Sequence, residues 1–348
     1  MSTEPAEAGA SELAPIQPDA AQMPGMPVRR MPFAWFWPLL VGAAAALVLR
    51  IAFSGLPGQR FSAMLGSFIY LAPAVCGAVT VYMAERIERR SWGYYIWAPW
   101  VSTALFVVGT LLVFIEGMIC AVVIVPLFSV MGSLGGLAMG VVCRITNWPK
   151  PALYGFAVLP LALGAVEPHW PNPERISHTS RTLFIAAPAD RVWHELNNVR
   201  DIRPSEVGDA WAYRIGVPMP AAAITENTPE GRVRKVQWQK NVHFEEVITE
   251  WQPLQRVSWR YRFSPDSFPA GALDDHVVIG GHYFDLRDSA YTLTPREGGT
   301  ELRIDVSWRV STRFNWYADR VAQFLLGDFS EHILRFYKVR SEGAAAAA

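Results

Sequence analysis

The sequence predicts an α-helical transmembrane bundle of four or five spans, followed by an α+β domain with an antiparallel sheet of about seven strands and a long C-terminal helix. Two observations predict this order. Long apolar runs with almost no charge crowd into residues 33–166, and from residue 178 onward the chain is polar, rich in aromatic residues and patterned like strands. The hydrophobic share of 51%, concentrated in the first half, exceeds that of an ordinary soluble domain.

Composition indicates which partners are expected, whether the N-terminal segment folds, and whether disulfides are expected. Residues 1–32 are rich in Ala, Pro, Glu and Ser and predict a disordered tail, because they carry too little apolar surface to offset ordering entropy. Lys plus Arg and Asp plus Glu both number 31, so charge gives no argument for nucleic acid. Cys76, Cys120 and Cys143 all lie in apolar runs, and no disulfide framework is expected in the polar half.

The apolar runs match the thickness of a bilayer. A hydrocarbon core of about 30 Å needs about 20 apolar residues in a helix. Four runs satisfy this requirement, at residues 33–53, 61–84, 94–115 and 118–143. A fifth run, 151–166, is shorter and contains Pro160, but it can span where the bilayer thins. A cleaved signal peptide is the alternative for the first run, and the apolar runs that follow favour an uncleaved helix instead.

The distribution of basic residues predicts the orientation of the spans. Seven basic residues fall on the same side as the N-terminus, and Arg50 and Arg60 fall on the other. The seven are Arg29, Arg30, Arg86, Arg89, Arg90, Arg144 and Lys150. The positive-inside rule then places the N-terminus in the cytoplasm of a multi-pass plasma-membrane protein. Five spans would put the C-terminal domain outside the cytoplasm, whereas four would leave it inside.

Two features of the apolar half are candidate packing or functional elements. Gly132, Gly136 and Gly140 repeat every four residues and resemble a GxxxG surface. Such a surface packs against a helix of the same chain, which is the favoured interpretation, or supports a homo-oligomer. Glu116 lies between the third and fourth spans, where a loop position explains it. The spans show no second charged residue to act as its relay partner, so no ion pathway is predicted.

The polar half follows a linker and begins with a strand and a helix. Residues 167–177 contain three prolines and predict a stiff, extended linker to a domain at 178–342, with a disordered tail at 343–348. Strands are predicted at 181–187, 233–238, 242–251, 256–263, 276–284 and 301–310, and a helix at 188–199. The final helix, 314–340, has one apolar stripe that fits across the apolar face of the sheet.

This order of elements is that of the helix-grip fold, and three segments carry a family resemblance. Residues 185–193 (IAAPADRVW), 243–251 (HFEEVITEW) and 257–261 (VSWRY), with the terminal helix, resemble the START-related SRPBCC superfamily, the polyketide cyclase/dehydrase and lipid transport proteins. The resemblance covers roughly residues 178–342. It implies a deep apolar cavity between the sheet and the last helix. With the apolar prefix and residues 311–317, the chain is similar to a group of bacterial membrane proteins, which implies the bacterial inner membrane.

Alternation and this resemblance together predict the residues that contact a ligand. The expected set comprises inward-facing aromatic residues, one strand carboxylate and the polar segment at residues 274–285: Trp238, Glu246, Trp259, Tyr261, His276, His282, Tyr283 and Trp308. Phe329 or Phe336 would join them from the helix. The aromatic residues could equally fill a solid core. Glu246 would need a partner such as a histidine if it faced inward, and a solvated edge or a structural ion pair is the commoner outcome.

The predicted function is binding of a hydrophobic small molecule or lipid in the cavity of a membrane-anchored domain, with transfer to or from the bilayer as a secondary expectation. No metal or other cofactor is expected, because His276 and His282 are six residues apart and no cysteine supports them. One alternative is a cyclase, dehydratase or hydrolase that uses His276 or His282 with Glu246 or Asp285 as acid and base. Another is a membrane scaffold that docks other proteins.

Overall fold

The computed structural model describes residues 35–146 and 150–346. The tail predicted at residues 1–32, the first two residues of the apolar run at 33–53 and the last two residues of the chain lie outside the described residues. The predicted order of an apolar helical region and then an antiparallel sheet with a long final helix is confirmed.

The described residues of the first half form five apolar helices: α1 (Trp37–Ala52), α2 (Gly66–Glu85), α3 (Trp92–Leu112), α4 (Met118–Ile145) and α5 (Lys150–Val166). Four helical segments are long and apolar enough to cross a membrane, namely Gly66–Glu85, Trp92–Leu112, Met118–Ile145 and Pro151–His169. The fifth run, predicted as marginal, is therefore among them. The described part of α1 is the shorter apolar helix, with 16 residues.

The glycine surface of α4 is covered by helices of the same chain. A Cβ atom on Gly77 of α2 would lie 1.9 Å from the Gly132 carbonyl oxygen, and one on Gly135 would lie 2.0 Å from the Ala74 oxygen. On the neighbouring side, a Cβ on Gly140 would lie 2.4 Å from the Tyr95 ring of α3. The helix backbones approach this closely only because the side chains are missing. Packing within the chain therefore occupies the glycine surface of α4, as the favoured interpretation predicts.

The second half contains one eight-stranded antiparallel sheet with the order β1-β8-β7-β6-β5-β4-β3-β2. Its strands are β1 (Glu174–Ile185), β2 (Asn198–Val199), β3 (Pro220–Thr228), β4 (Gly231–Trp238), β5 (His243–Gln252), β6 (Arg256–Arg262), β7 (Phe284–Arg296) and β8 (Gly299–Ser311). Three short helices lie between β1 and β3: α6 (Ala189–Asn197), α7 (Pro204–Val207) and α8 (Trp211–Arg214). The final helix is α9 (Asn315–Ala346).

Several predicted boundaries differ from the structure. The strand expected at residues 276–284 is wrong: Gly280 has φ +78°, turn hydrogen bonds close the segment, and the strand β7 starts only at Phe284. Strand β3 was not predicted, and the sheet has eight strands rather than about seven. The first strand begins at Glu174, inside the predicted linker, which itself opens with a 3-10 turn at Glu167–His169. Helix α9 continues to Ala346, beyond the predicted start of the tail.

Helix α9 is fixed to the sheet along its length. Near its start, Asp319 accepts a hydrogen bond from Trp308 Nε1 at 3.1 Å and pairs with Arg175 of β1 at 2.8 Å. Further along, Leu334 and Phe336 join the apolar core formed by the inner face of the sheet. The helix therefore closes one side of the curved sheet, as its apolar stripe predicts.

The sheet domain contacts one end of the helical bundle, the end at which α1, α3 and α5 finish and α2 and α4 begin. Glu167 accepts hydrogen bonds from the Gly66 and Ser67 amides at 2.7 and 2.8 Å, and so caps the start of α2. Asp274 accepts one from the Cys120 amide at 2.7 Å, in the first turn of α4. Carboxylates are favourable at these positions because the free amides and the helix dipole both attract negative charge.

Candidate functional site: a cavity shared by the sheet and the helical bundle

A cavity of about 320 Å³ lies between the inner face of the sheet, α9 and the adjoining end of the helical bundle. Its walls are largely apolar. From the sheet come Val236, Trp238, Phe244, Trp259, Ile304 and Val306, and from α9 come Val321, Leu325, Phe329 and Ile333. The volume is in the range of small-molecule sites in proteins, which is roughly 300–1,000 Å³.

The polar part of the sheet wall is a buried ion pair. Arg234 of β4 and Glu246 of β5 face each other in register on adjacent strands, and Arg234 donates a hydrogen bond to the Glu246 carboxylate. Each side chain is only 7% exposed. Arg234 also donates to the Tyr337 hydroxyl of α9 at 3.0 Å. The pair ties the sheet to the final helix, and its net charge is zero.

Burial governs the ionisation of the groups around this pair. Burial raises the pKa of Glu246, and the Arg234 guanidinium acts against that rise. Burial also raises the pKa values of Tyr261, Tyr291 and Tyr337, so these phenols keep their protons at neutral pH. The Tyr261 hydroxyl forms a hydrogen bond with the Ser289 hydroxyl, with 2.7 Å between the two oxygens. The polar wall therefore offers neutral hydroxyls around a balanced ion pair.

Two buried N–H groups at this wall have no hydrogen-bond partner among the described residues. They are Arg234 Nε and Trp259 Nε1. The two side chains are neighbours, since the guanidinium carbon lies 5.3 Å from the centre of the Trp259 ring. An unmet buried donor costs roughly 1–3 kcal/mol.

A second polar group lines the cavity where the bundle meets the sheet domain. Arg50, near the end of α1, donates from Nε to Glu116 Oε1 at 2.6 Å. His276 Nε2 lies 3.8 Å from the same oxygen. The prediction that the spans hold no charged partner for Glu116 is wrong, because Arg50 lies within α1 and is buried against this carboxylate. All three residues line the cavity.

The structure distributes the predicted ligand-contacting residues unevenly. Six of them line the cavity: Trp238, Glu246, Trp259, Tyr261, His276 and Tyr283. Trp308 is completely buried between the sheet and α9 and is not among the lining residues. His282 is exposed and packs its ring against Tyr283 and Gly58. Phe329 and Phe336 both line the cavity.

The histidines and carboxylates proposed as acid and base for the enzyme alternative do not pair with one another in the described residues. Glu246 is engaged by Arg234, and His276 lies near Glu116. Asp285 is partly buried beside Arg309, and burial raises its pKa. Within residues 35–146 and 150–346, no ion pair joins either His276 or His282 to Glu246 or Asp285. The same residues contain no group of three or more His, Cys, Asp or Glu side chains that could hold a metal ion.

Sequence reasoning missed two groups of cavity residues. Arg234 had a detectable signal, because it shares a strand face with Val236 and Trp238 at period two. The bundle residues had none: Phe68, Phe106 and Phe128 are apolar residues in apolar helices.

Glu245, the neighbour of Glu246, points to the opposite face and pairs with Arg262 at 2.6 Å.

Comparison with known proteins gives structural likeness only. No protein-family model matches the chain, and no curated protein matches it. Among solved structures, the di-domain aromatase/cyclase StfQ of the steffimycin biosynthetic pathway is 12% identical over 56% of this chain, with a TM-score of 0.31. The chain spans 60% of the length of that protein.

Two further solved structures are similar to the second half of the chain. The ZhuI aromatase/cyclase from Streptomyces sp. R1128 is 14% identical over 48% of this chain and 94% of its own, with a TM-score of 0.29. A START superfamily protein from Mycobacterium smegmatis is 15% identical over 48% of this chain and 98% of its own, also with a TM-score of 0.29.

Proposed function

We propose that this chain is a membrane-anchored binding protein that holds a hydrophobic small molecule or lipid in the cavity between its sheet and α9. The observation that carries the proposal is the cavity itself, with apolar walls and one buried, charge-balanced polar wall at Arg234 and Glu246. An apolar guest gains free energy by leaving water for such a space.

The charge of the polar wall favours an uncharged guest. Glu246 already neutralises Arg234, so an anionic head group would lie close to a carboxylate. The Arg234 Nε and Trp259 Nε1 donors are shielded and have no hydrogen-bond partner among the described residues; a guest that uncovered them would satisfy them with a neutral acceptor such as a hydroxyl or carbonyl oxygen. The proposed ligand class is therefore a neutral amphiphile with one polar end.

We place the sheet domain outside the cytoplasm of a bacterial inner membrane. Because five helices alternate in direction, this domain lies at the end of the bundle opposite the start of α1. Most basic residues of the bundle lie at the end where α1 starts, between α2 and α3 and between α4 and α5. The positive-inside rule assigns the basic end to the cytoplasm. A ligand would then be held at the outer surface of the membrane.

Two matched substitutions on α9 test the binding site. Val321 lines the cavity, whereas Val339 on the same helix is 59% exposed. The full chain is extracted from membranes in mild detergent, and bound lipids are identified by native mass spectrometry. We expect Val321→Trp to reduce bound lipid strongly, and Val339→Trp to retain the amount bound by the parent. Equal retention in both variants, or a parent without any bound guest, would overturn the proposal.

The charge argument has its own test. Protein stripped of lipid is offered equal amounts of 1-hexadecanol and hexadecanoic acid, which share a chain and differ in head-group charge. We expect the alcohol to be the main bound species at neutral pH. Preference for the carboxylate would show that the cavity selects an anion, and the assignment to neutral amphiphiles would be withdrawn.

A further inference from the structure

The cavity does not stop at the boundary between the sheet domain and the bundle. Its lining continues along residues of three apolar helices: Phe68 of α2, Phe106 and Val107 of α3, and Ile124 and Phe128 of α4. Phe128 lies ten residues into α4, which is about 15 Å along the axis at 1.5 Å per residue. The space therefore enters the helical bundle.

Three aromatic rings form the floor of this extension. Phe106 and Phe128 stack with ring centres 5.9 Å apart, and Phe68 meets Phe128 at 6.2 Å. All three side chains are almost completely buried. Their position and size limit how far a guest can reach into the bundle.

The first turns of α9 connect the two parts of the lining. Phe314, just before the helix, belongs to the apolar core of the bundle, while Leu334 and Phe336 belong to the core of the sheet. Tyr317 donates a hydrogen bond to the Val123 carbonyl of α4. Because one helix spans both cores, the sheet part and the bundle part of the cavity have a common wall.

We infer that the membrane helices form the far end of the binding site and determine the length of the ligand. This inference rests on the proposed function and names its ligand more closely: an elongated neutral amphiphile whose apolar chain lies among α2, α3 and α4, ending at Phe68, Phe106 and Phe128. Its polar end lies toward Arg234 and Trp259. The bundle is then part of the receptor as well as its anchor.

Chain-length selection tests the inference directly. Lipid-stripped protein is incubated with an equimolar mixture of straight-chain 1-alkanols that differ by two carbons, and the bound distribution is read by native mass spectrometry. Phe128→Ala should shift the distribution to longer chains, and Phe128→Trp to shorter ones. Each additional buried CH₂ group favours the longer chain by about fourfold. Phe106→Ala offers an independent lengthening variant.

The control is Val130, two residues further along the same helix and 49% exposed. Val130→Ala and Val130→Trp should leave the bound distribution unchanged. If the Phe128 and Phe106 variants also keep the parental distribution while Val321→Trp loses its guest, the proposed function stands and the inference fails. If the parent binds no alkanol at all, the proposed function fails with it.

Discussion

Arg50 and Glu116 form an ion pair of 2.6 Å that joins the end of α1 to the turn before α4, directly beside the cavity. Their side chains are 8% and 15% exposed, and the residues are far apart in sequence. His276 of the sheet domain lies against the same carboxylate. The pair thus ties two helices together where the bundle meets the sheet domain.

Removing one member of this pair should destabilise the whole chain. Glu116→Gln leaves the Arg50 guanidinium buried without its counter-charge, and breaking a buried pair costs about 3–5 kcal/mol. We expect the midpoint of thermal unfolding in detergent to fall by several degrees. Arg60→Met provides a control, because Arg60 is exposed. An equal fall in both variants would show that the Arg50 and Glu116 pair has no special role.

The pair Arg234 and Glu246 predicts a non-additive result. Arg234→Met alone and Glu246→Leu alone each leave one charge buried, and each should destabilise the protein by about 3–5 kcal/mol. The double variant replaces both charges by apolar side chains and should recover much of that loss. Chemical denaturation of the four proteins measures the coupling. Strictly additive losses would mean that the two residues do not act as a pair.

Helix packing in the bundle predicts opposite outcomes for two glycines. Gly77→Ala puts a methyl group 1.9 Å from the Gly132 carbonyl oxygen, so we expect a large loss of stability. Gly109→Ala meets nothing within 4 Å and should be neutral or stabilising, by up to about 1 kcal/mol, through helix propensity. Thermal unfolding in detergent separates the two. Similar tolerance of both substitutions would contradict the close approach of α2 and α4.

Orientation can be measured with two introduced cysteines. Glu230, at the turn between β3 and β4, has a side chain that is 81% exposed, and Glu88, between α2 and α3, has one that is 70% exposed. A membrane-impermeant maleimide should label Glu230→Cys in intact cells, and Glu88→Cys only after the cells are permeabilised. The reverse labelling pattern would place the sheet domain in the cytoplasm.

Much of the architecture follows from local patterns in the sequence. Strands β6 and β8 alternate strictly between apolar and polar residues, and the apolar stripe of α9 repeats at helical spacing, so their existence and inner faces could be predicted. The segment at 276–284 misled the prediction. Its apolar run Val277, Val278 and Ile279 resembles a strand, but the turn at Gly280 redirects the chain.

The composite nature of the cavity could not be predicted, because it depends on how two separately patterned halves meet. In an apolar helix, a phenylalanine such as Phe106 or Phe128 looks the same in sequence whether it faces lipid, the core or a cavity. Only the tertiary arrangement brings these two residues to the cavity. Likewise, the partner of Glu116 is 66 residues away in sequence. Contacts at such separation leave no periodic signal in either segment.

The most direct test of the central claim is an experimental structure of the full chain, extracted from membranes together with its native lipids. We predict elongated density inside the cavity, with its polar end near Arg234 and Trp259 and its other end near Phe128. A cavity closed by its own side chains, or lipid density confined to the outer surface of the helices, would contradict the claim.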